Sequence, residues 1–170
     1  MKAHSLARSG WLSGFAMLIA FCAMALYSAP ISAGGWAADT LSNDDASDFF
    51  AQIAADGGVE LIHSALDAAL THVSPVDDER ASRALAAAEM VAAMMGNPSP
   101  NLVTPCKEWA ALHSKAADQD LIWLAVRAVD RVVEDSEAKE LIQEGGAKNL
   151  LDWQMSVTNL KARLISRRSG

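Results

Sequence analysis

Few residues in this chain are of types that do chemistry. Beyond residue 33 histidine occurs only at His63, His72 and His113, and cysteine only at Cys106. Cys106 is expected in the first turn of a helix, beside Lys107. A helix N-terminus and a neighbouring cation both lower a thiol pKa. A nucleophilic or redox thiol is therefore one reading, with His113, seven residues on and on the same face, as its nearest base. A small half-buried residue is the other.

Glu89 is the oddest residue of the set. It stands inside Ala-Leu-Ala-Ala-Ala-Glu-Met-Val-Ala-Ala-Met-Met, residues 84–95, where nearly every neighbour is apolar. Small alanines let another helix approach closely, and a carboxylate buried there needs a partner. Three readings stay open: a water-exposed rim position, an internal ion pair with an arginine such as Arg127 or Arg131, and a catalytic acid. His63 and Asp67, four apart, share a helix face, but two ligands do not make a metal site. Asp39, Asp44, Asp45 and Asp48 form the densest acidic stretch. The ligand spacing and turn glycine of a calcium loop are absent there, and helix capping accounts for the acids. No nucleophile elbow, phosphate loop, dinucleotide fingerprint or zinc-protease pair occurs. No catalytic residue, cofactor or metal is assigned from these patterns.

The elements that must position these residues are helices. Ser42 and Asn43 are capping types, and Asp45 follows Ser42 by three. Ala46, Phe49, Phe50 and Ile53 then recur at helical spacing until Gly57 and Gly58, expected as a left-handed cap. Val59, Ile62, Leu66, Ala69, Leu70 and Val73 mark a second helix. A third runs from about Asp77 to Met95, with acids in its first turn, where the helix dipole favours them. Thr104 is expected to cap a fourth, with Pro105 at its first position and Trp109, Leu112 and Ala116 as its apolar side. Asp118 or Asp120 opens a fifth, whose stripe is Leu121, Ile122, Ala125, Val126, Val129, Val132 and Val133. Ser136 starts a short helix carrying Leu141 and Ile142, closed by Gly145 and Gly146. The last runs from about Ala147 to Ile165, with Leu150, Leu151, Trp153, Val157, Leu160 and Leu164 as its apolar residues. The pattern predicts an all-α fold: a single compact domain of about six or seven helices.

The segment ahead of that domain reads as an address. Lys2 and Arg8 precede an apolar run of about fifteen residues, and Pro30, Ile31, Ser32 and Ala33 follow. These are the parts of a secretory signal, with cleavage expected between Ala33 and Gly34. The run is short for a bilayer core, which takes roughly 20 helical residues. The alternative is an uncleaved anchor built from residues 11–33. The expected organisation is a signal over 1–33, a helical domain over 34–166 and a frayed tail over 167–170. Cys106 is then the one thiol left, so no intrachain disulfide can staple the domain and its core must hold it.

All 21 acids lie from Asp39 onward, so from Gly34 the balance is 12 basic against 21 acidic residues. A net −9 lacks the basic face that nucleic acid or an anionic membrane requires.

The opening Gly34-Gly35-Trp36-Ala37-Ala38-Asp39-Thr40-Leu41-Ser42-Asn43-Asp44-Asp45-Ala46-Ser47-Asp48-Phe49 resembles the start of the bacterial domain-of-unknown-function family numbered 4259. That family's opening reads roughly G-A-W-G-x-G-x-F-x-N-D-x-A-x-D-F. Gly34, Trp36, Asn43, Asp44, Ala46, Asp48 and Phe49 match it without a gap. Ala84 to Gly96 resembles its A-A-A-E-x-V-A-A stretch, with Glu89 and Val91 in register. Glu108-Trp109, Asp135 to Leu141, and Trp153 with Val157, Leu160, Arg163 and Leu164 follow in order. Ala37 and Asp39 depart from family glycines, and Leu41 from an aromatic. The resemblance implies an all-α domain with no assigned activity. It also implies a start at the Gly-x-Trp segment, which the cut after Ala33 would regenerate. Trp36 and Leu41 are then anchors folding the first segment over the bundle, and Asn43 and Asp44 cap the first helix.

The function expected from all this is a non-enzymatic, exported binding module, periplasmic or extracellular, with a protein partner. One version is an immunity-like inhibitor of a basic effector, steered by acidic charge. The second class is an enzyme with a dispersed site at Glu89, Cys106 or His113. The third is a structural envelope protein that self-associates through Trp109, Trp123 or Trp153, wherever these are exposed.

Overall fold

A computed structural model describes residues 41–166, apart from 42, 57 and 72. The signal segment, the Ala33–Gly34 junction, Trp36, Ser42, Gly57, His72 and the tail from residue 167 lie outside the described residues. Among the described residues seven α-helices follow one another: α1 (Asp44–Asp56), α2 (Val59–Thr71), α3 (Asp78–Met94), α4 (Thr104–Leu112), α5 (Gln119–Glu134), α6 (Glu137–Glu144) and α7 (Ala147–Ile165). One turn of 3₁₀ helix, Ser114–Ala116, links α4 to α5. No strand occurs among the described residues. A single parallel bridge, Val76 to Ser136, ties the α2–α3 loop to the start of α6.

The helix starts are set locally, by side chains that satisfy otherwise unpartnered N–H groups. Asn43 Oδ1 accepts from the Ala46 amide at 2.8 Å. Asp77 does the same for Arg80 at 2.9 Å, Asp118 for Leu121 at 2.9 Å and Ser136 for Lys139 at 3.2 Å. Thr104 does not cap α4. It is the first residue of that helix, Val103 holds the cap position, and no side chain caps there.

Two helix ends use glycine in the left-handed region. Gly96 (φ 89°) follows α3; its amide reaches Ala93 O at 2.9 Å, while that of Asn97 reaches Ala92 O at 2.9 Å. These two bonds form a Schellman cap. Gly146 (φ 104°) precedes α7. Gly58 is not in that region, which corrects its expected role as a left-handed cap.

The central element is α3, which packs against all six other helices. Every residue from Ala81 to Met94 except Arg83 is buried, Ser82 and Glu89 included. A helix enclosed on all sides needs no polar face, and its run of alanines lets the neighbours come close. The other helices bury one stripe each: Phe49 and Ile53 from α1, Ile62, Leu66 and Ala69 from α2, Cys106 and Ala110 from α4. Helix α5 contributes Leu121, Ala125, Val129 and Val132, and α7 contributes Trp153, Val157, Leu160 and Leu164. Four expected core residues face water instead: Val73 is 80% exposed and lies beyond the end of α2, Leu112 is 83% exposed, and Leu141 and Leu151 are also exposed. No helix among the described residues is long and apolar enough to cross a membrane.

Candidate functional site

Glu89 has a partner, and it is neither arginine expected from the sequence. Its carboxylate accepts from Arg163 on α7, Nη1 to Oε2 at 2.7 Å and Nη2 to Oε1 at 2.6 Å. Glu89 is 2% exposed and the Arg163 side chain 17%. A rim position is therefore corrected to a buried one, because α3 has neighbours all round. Arg127 is exposed on α5. Arg131 is engaged elsewhere, with Asp135 at 3.3 Å and Ser74 Oγ at 2.8 Å. Arg163 has further bonds: Nε donates to Asn159 Oδ1 at 2.9 Å and Nη1 to Asn97 O at 3.2 Å. Asn97 answers through Nδ2, which donates to Arg163 O at 3.2 Å and Ser166 Oγ at 2.9 Å. A bidentate, fully hydrogen-bonded pair of this kind fixes the register of α7 against α3.

Cys106 is fully buried on α4. Its Sγ lies 3.6 Å from the Phe50 carbonyl oxygen, and burial pushes the thiol above its usual range. The expected activation by a helix N-terminus and Lys107 is thereby reversed, and Lys107 itself reaches away to Pro100 O at 2.9 Å. His113 ends α4, where its ring stacks on Trp109 with centroids 3.9 Å apart and its Nδ1 lies 2.8 Å from the Trp109 carbonyl. His63 and Asp67 are both exposed on α2.

At the start of α1, Asp44 and Asp48 face water and Phe49 is buried. The Arg83 guanidinium sits 5.4 Å over the Phe49 ring. Burial first, then Glu79 and Asp48, raises the Asp45 carboxyl above its ordinary value, with Arg83 opposing. No group of three or more His, Cys, Asp or Glu could hold a metal ion among the described residues.

A feature not named from the sequence lies on the opposite end of α3. A cleft of about 330 Å³ opens between α5, the end of α7 and Met95. Gln119, Ile122, Trp123 and Val126 of α5 line one side, and Leu164, Ile165 and Ser166 the other. Its floor is apolar: Met95, Val126 and Leu164 are buried. Trp123 stands at the mouth, 53% exposed, and Ile165 is exposed beside it. The spacing 119, 122, 123, 126 is itself helical; it shares Ile122 and Val126 with the apolar stripe of α5 and adds Gln119 and Trp123 at its edge. The sequence displays that stripe, but α7, which turns it into a cleft wall, starts far along the chain. One turn beyond the cleft, Lys161 of α7 pairs with Asp130 of α5. The cleft adjoins the Glu89–Arg163 network, since Ser166 belongs to both.

The family model described as Domain of unknown function (DUF4259) matches residues 34–156, most of the chain. The chain belongs to that family. The matched span takes in α1 to α6 and the first half of α7. It includes Glu89 and Trp123 and stops short of Arg163. No curated protein and no solved structure matches the chain.

Proposed function

We propose that this member of the family is an exported, non-enzymatic binding module whose helical domain takes a protein partner in the cleft between α5 and α7. The observation that carries this reading is Trp123: a large aromatic side chain, half exposed, at the mouth of an apolar cleft. Tryptophan is the residue most enriched among the few that dominate binding energy at interfaces. A cleft of about 330 Å³ suits one or two apolar side chains of a partner. Export rests on Lys2, Arg8 and the short apolar run before Ala33.

A narrower version follows from charge. From Gly34 onward the chain carries 12 basic and 21 acidic residues, and Asp118 and Asp120 are exposed on either side of the cleft residue Gln119. Such a surface accelerates encounter with a basic protein. The partner is then a basic effector, and the module its immunity-like inhibitor.

The enzymatic reading has less support. Glu89 is held by Arg163, Cys106 is buried under α1, and none of Glu89, Cys106 and His113 lines the cleft. Self-association as an envelope component would use the same Trp123 surface, because Trp153 is buried and Trp109 is partly covered by His113.

The test is affinity capture from the envelope fraction with the wild-type chain and Trp123→Ser. A defined complex that Trp123→Ser loses, and that weakens with salt, supports a basic partner. Equal capture by both chains, or a chain that recovers only further copies of itself, overturns the reading.

A further inference from the structure

We infer that the outward face of α7 is a self-complementary seam on which a second copy of the chain docks, antiparallel and related by a two-fold axis. Helix α7 carries two stripes. The inner one, Trp153, Val157, Leu160 and Leu164, is buried in the core. The outer one runs through Lys148, Leu151, Met155, Thr158, Ala162 and Ile165, all of them exposed. Its large apolar members face water in full view: Leu151 is 56%, Met155 60% and Ile165 64% exposed. A helix on the surface of a single domain needs only the inner stripe.

The outer residues stand alternately three and four apart, the heptad spacing by which one helix packs along another. The set is also symmetric about the midpoint between Ser156 and Val157. Reversing the helix places 148 on 165, 151 on 162 and 155 on 158. An isologous contact requires this self-complementarity. In that pairing a larger side chain meets a smaller one: Leu151 faces Ala162 of the second copy, and Met155 faces its Thr158. The methylenes of Lys148 cover Ile165 of the second copy, with the ammonium in water.

Charge favours the same occupant. From Gly34 onward the chain carries 12 basic and 21 acidic residues, so much of its surface repels another copy. Helix α7 holds one acid, Asp152, and Lys148 pairs with it. In the antiparallel register Asp152 flanks the neutral Asn159 of the second copy, and Lys161 flanks the neutral Gln154. No like charges meet, whereas a parallel pairing would set Lys148 against Lys148. The contact runs about 25 Å along the helix. One helix on one helix lies below the roughly 1,200 Å² of a standard interface, so the dimer is reversible. The seam meets the cleft only at Ile165 and needs none of the tryptophans, so it stands or falls apart from the proposed partner.

The experiment is sedimentation equilibrium of the protein as purified from its host, from micromolar to millimolar concentration. The mass is expected to rise toward twice the monomer's for wild type and for Trp123→Ser. It is expected to stay monomeric for Met155→Glu and Ala162→Glu, with helical circular dichroism unchanged because both sites are exposed. Chains with Leu151→Cys mixed with chains with Ala162→Cys are expected to form disulfide-linked pairs several-fold faster than either chain alone, since like positions lie about 16 Å apart along the paired helices. A wild-type monomer throughout the range overturns the inference. So does a dimer that either Glu variant retains, a dimer that Trp123→Ser loses, or cysteine chains that link to themselves as fast as to each other.

Discussion

Arg163 grips Glu89 with both terminal nitrogens of its guanidinium, at 2.6 and 2.7 Å, across a sequence separation of 74 residues. The contact joins the most enclosed helix of the domain to its last one. Asn97 completes it from the end of α3 through three hydrogen bonds, two with Arg163 and one with Ser166.

Breaking this pair from one side strands a charge. Removing one partner of a buried pair typically costs about 3–5 kcal/mol, whereas replacing both by apolar groups is often close to neutral. Arg163→Met leaves a carboxylate in the more enclosed position and is expected to be the worse single change. Glu89→Gln leaves a guanidinium that keeps some contact with water, and its cost is expected at the lower end of that range. The double variant Glu89→Met/Arg163→Met is expected to recover much of the loss. Urea denaturation of the three variants checks the order. Additive losses in the double variant would show that the two groups are not coupled.

The Asp135 carboxyl is held below the ordinary aspartate range by the Ser74 hydroxyl first and by Arg131 next. A lowered folded-state pKa means that the unfolded chain binds the proton more readily. The contribution to stability is then present above the unfolded value and is lost as pH falls through the folded one. Ser74→Ala is expected to move the Asp135 titration upward, as read from its carboxyl carbon by NMR. The same variant should be less stable than wild type near neutrality, with the two converging in strong acid. An unmoved titration would remove Ser74 from the account.

Cys106 offers a sharp contrast between exposed and buried thiols. Its reactivity requires the thiolate, which burial disfavours, and access requires local opening of α4 away from α1. Iodoacetamide is expected to leave the native protein unlabelled near neutral pH and to label it fully in urea. Rapid labelling of the folded chain would contradict the burial and revive a reactive thiol.

What the sequence discloses is what is encoded within a turn or two of helix. Asp118 and Ser136 cap where their types suggest, and α7 runs between the expected residues, because its stripe and the preceding Gly145-Gly146 are local signals. Partnership between distant segments is not encoded that way. Nothing near Glu89 points to Arg163, and Arg131 is taken up by Asp135 at the end of its own helix. Cys106 reads as an activated thiol from its neighbours and is an inert one because α1 covers it. Leu112 reads as core from its spacing and faces water because α4 ends there and the chain turns into the 3₁₀ segment. The cleft escapes notice for the same reason: the α5 stripe is visible, but its opposing wall is supplied by Leu164 and Ile165.

The central claim is that the surface around Trp123 meets a partner. Site-specific photocrosslinking in the native envelope tests it most directly, with a benzophenone amino acid at position 123 and, as a control, at the exposed Glu60 on α2. A discrete adduct with a second protein, formed from position 123 and absent from position 60, is the predicted result. The same adducts from both positions, or none from position 123, would contradict it.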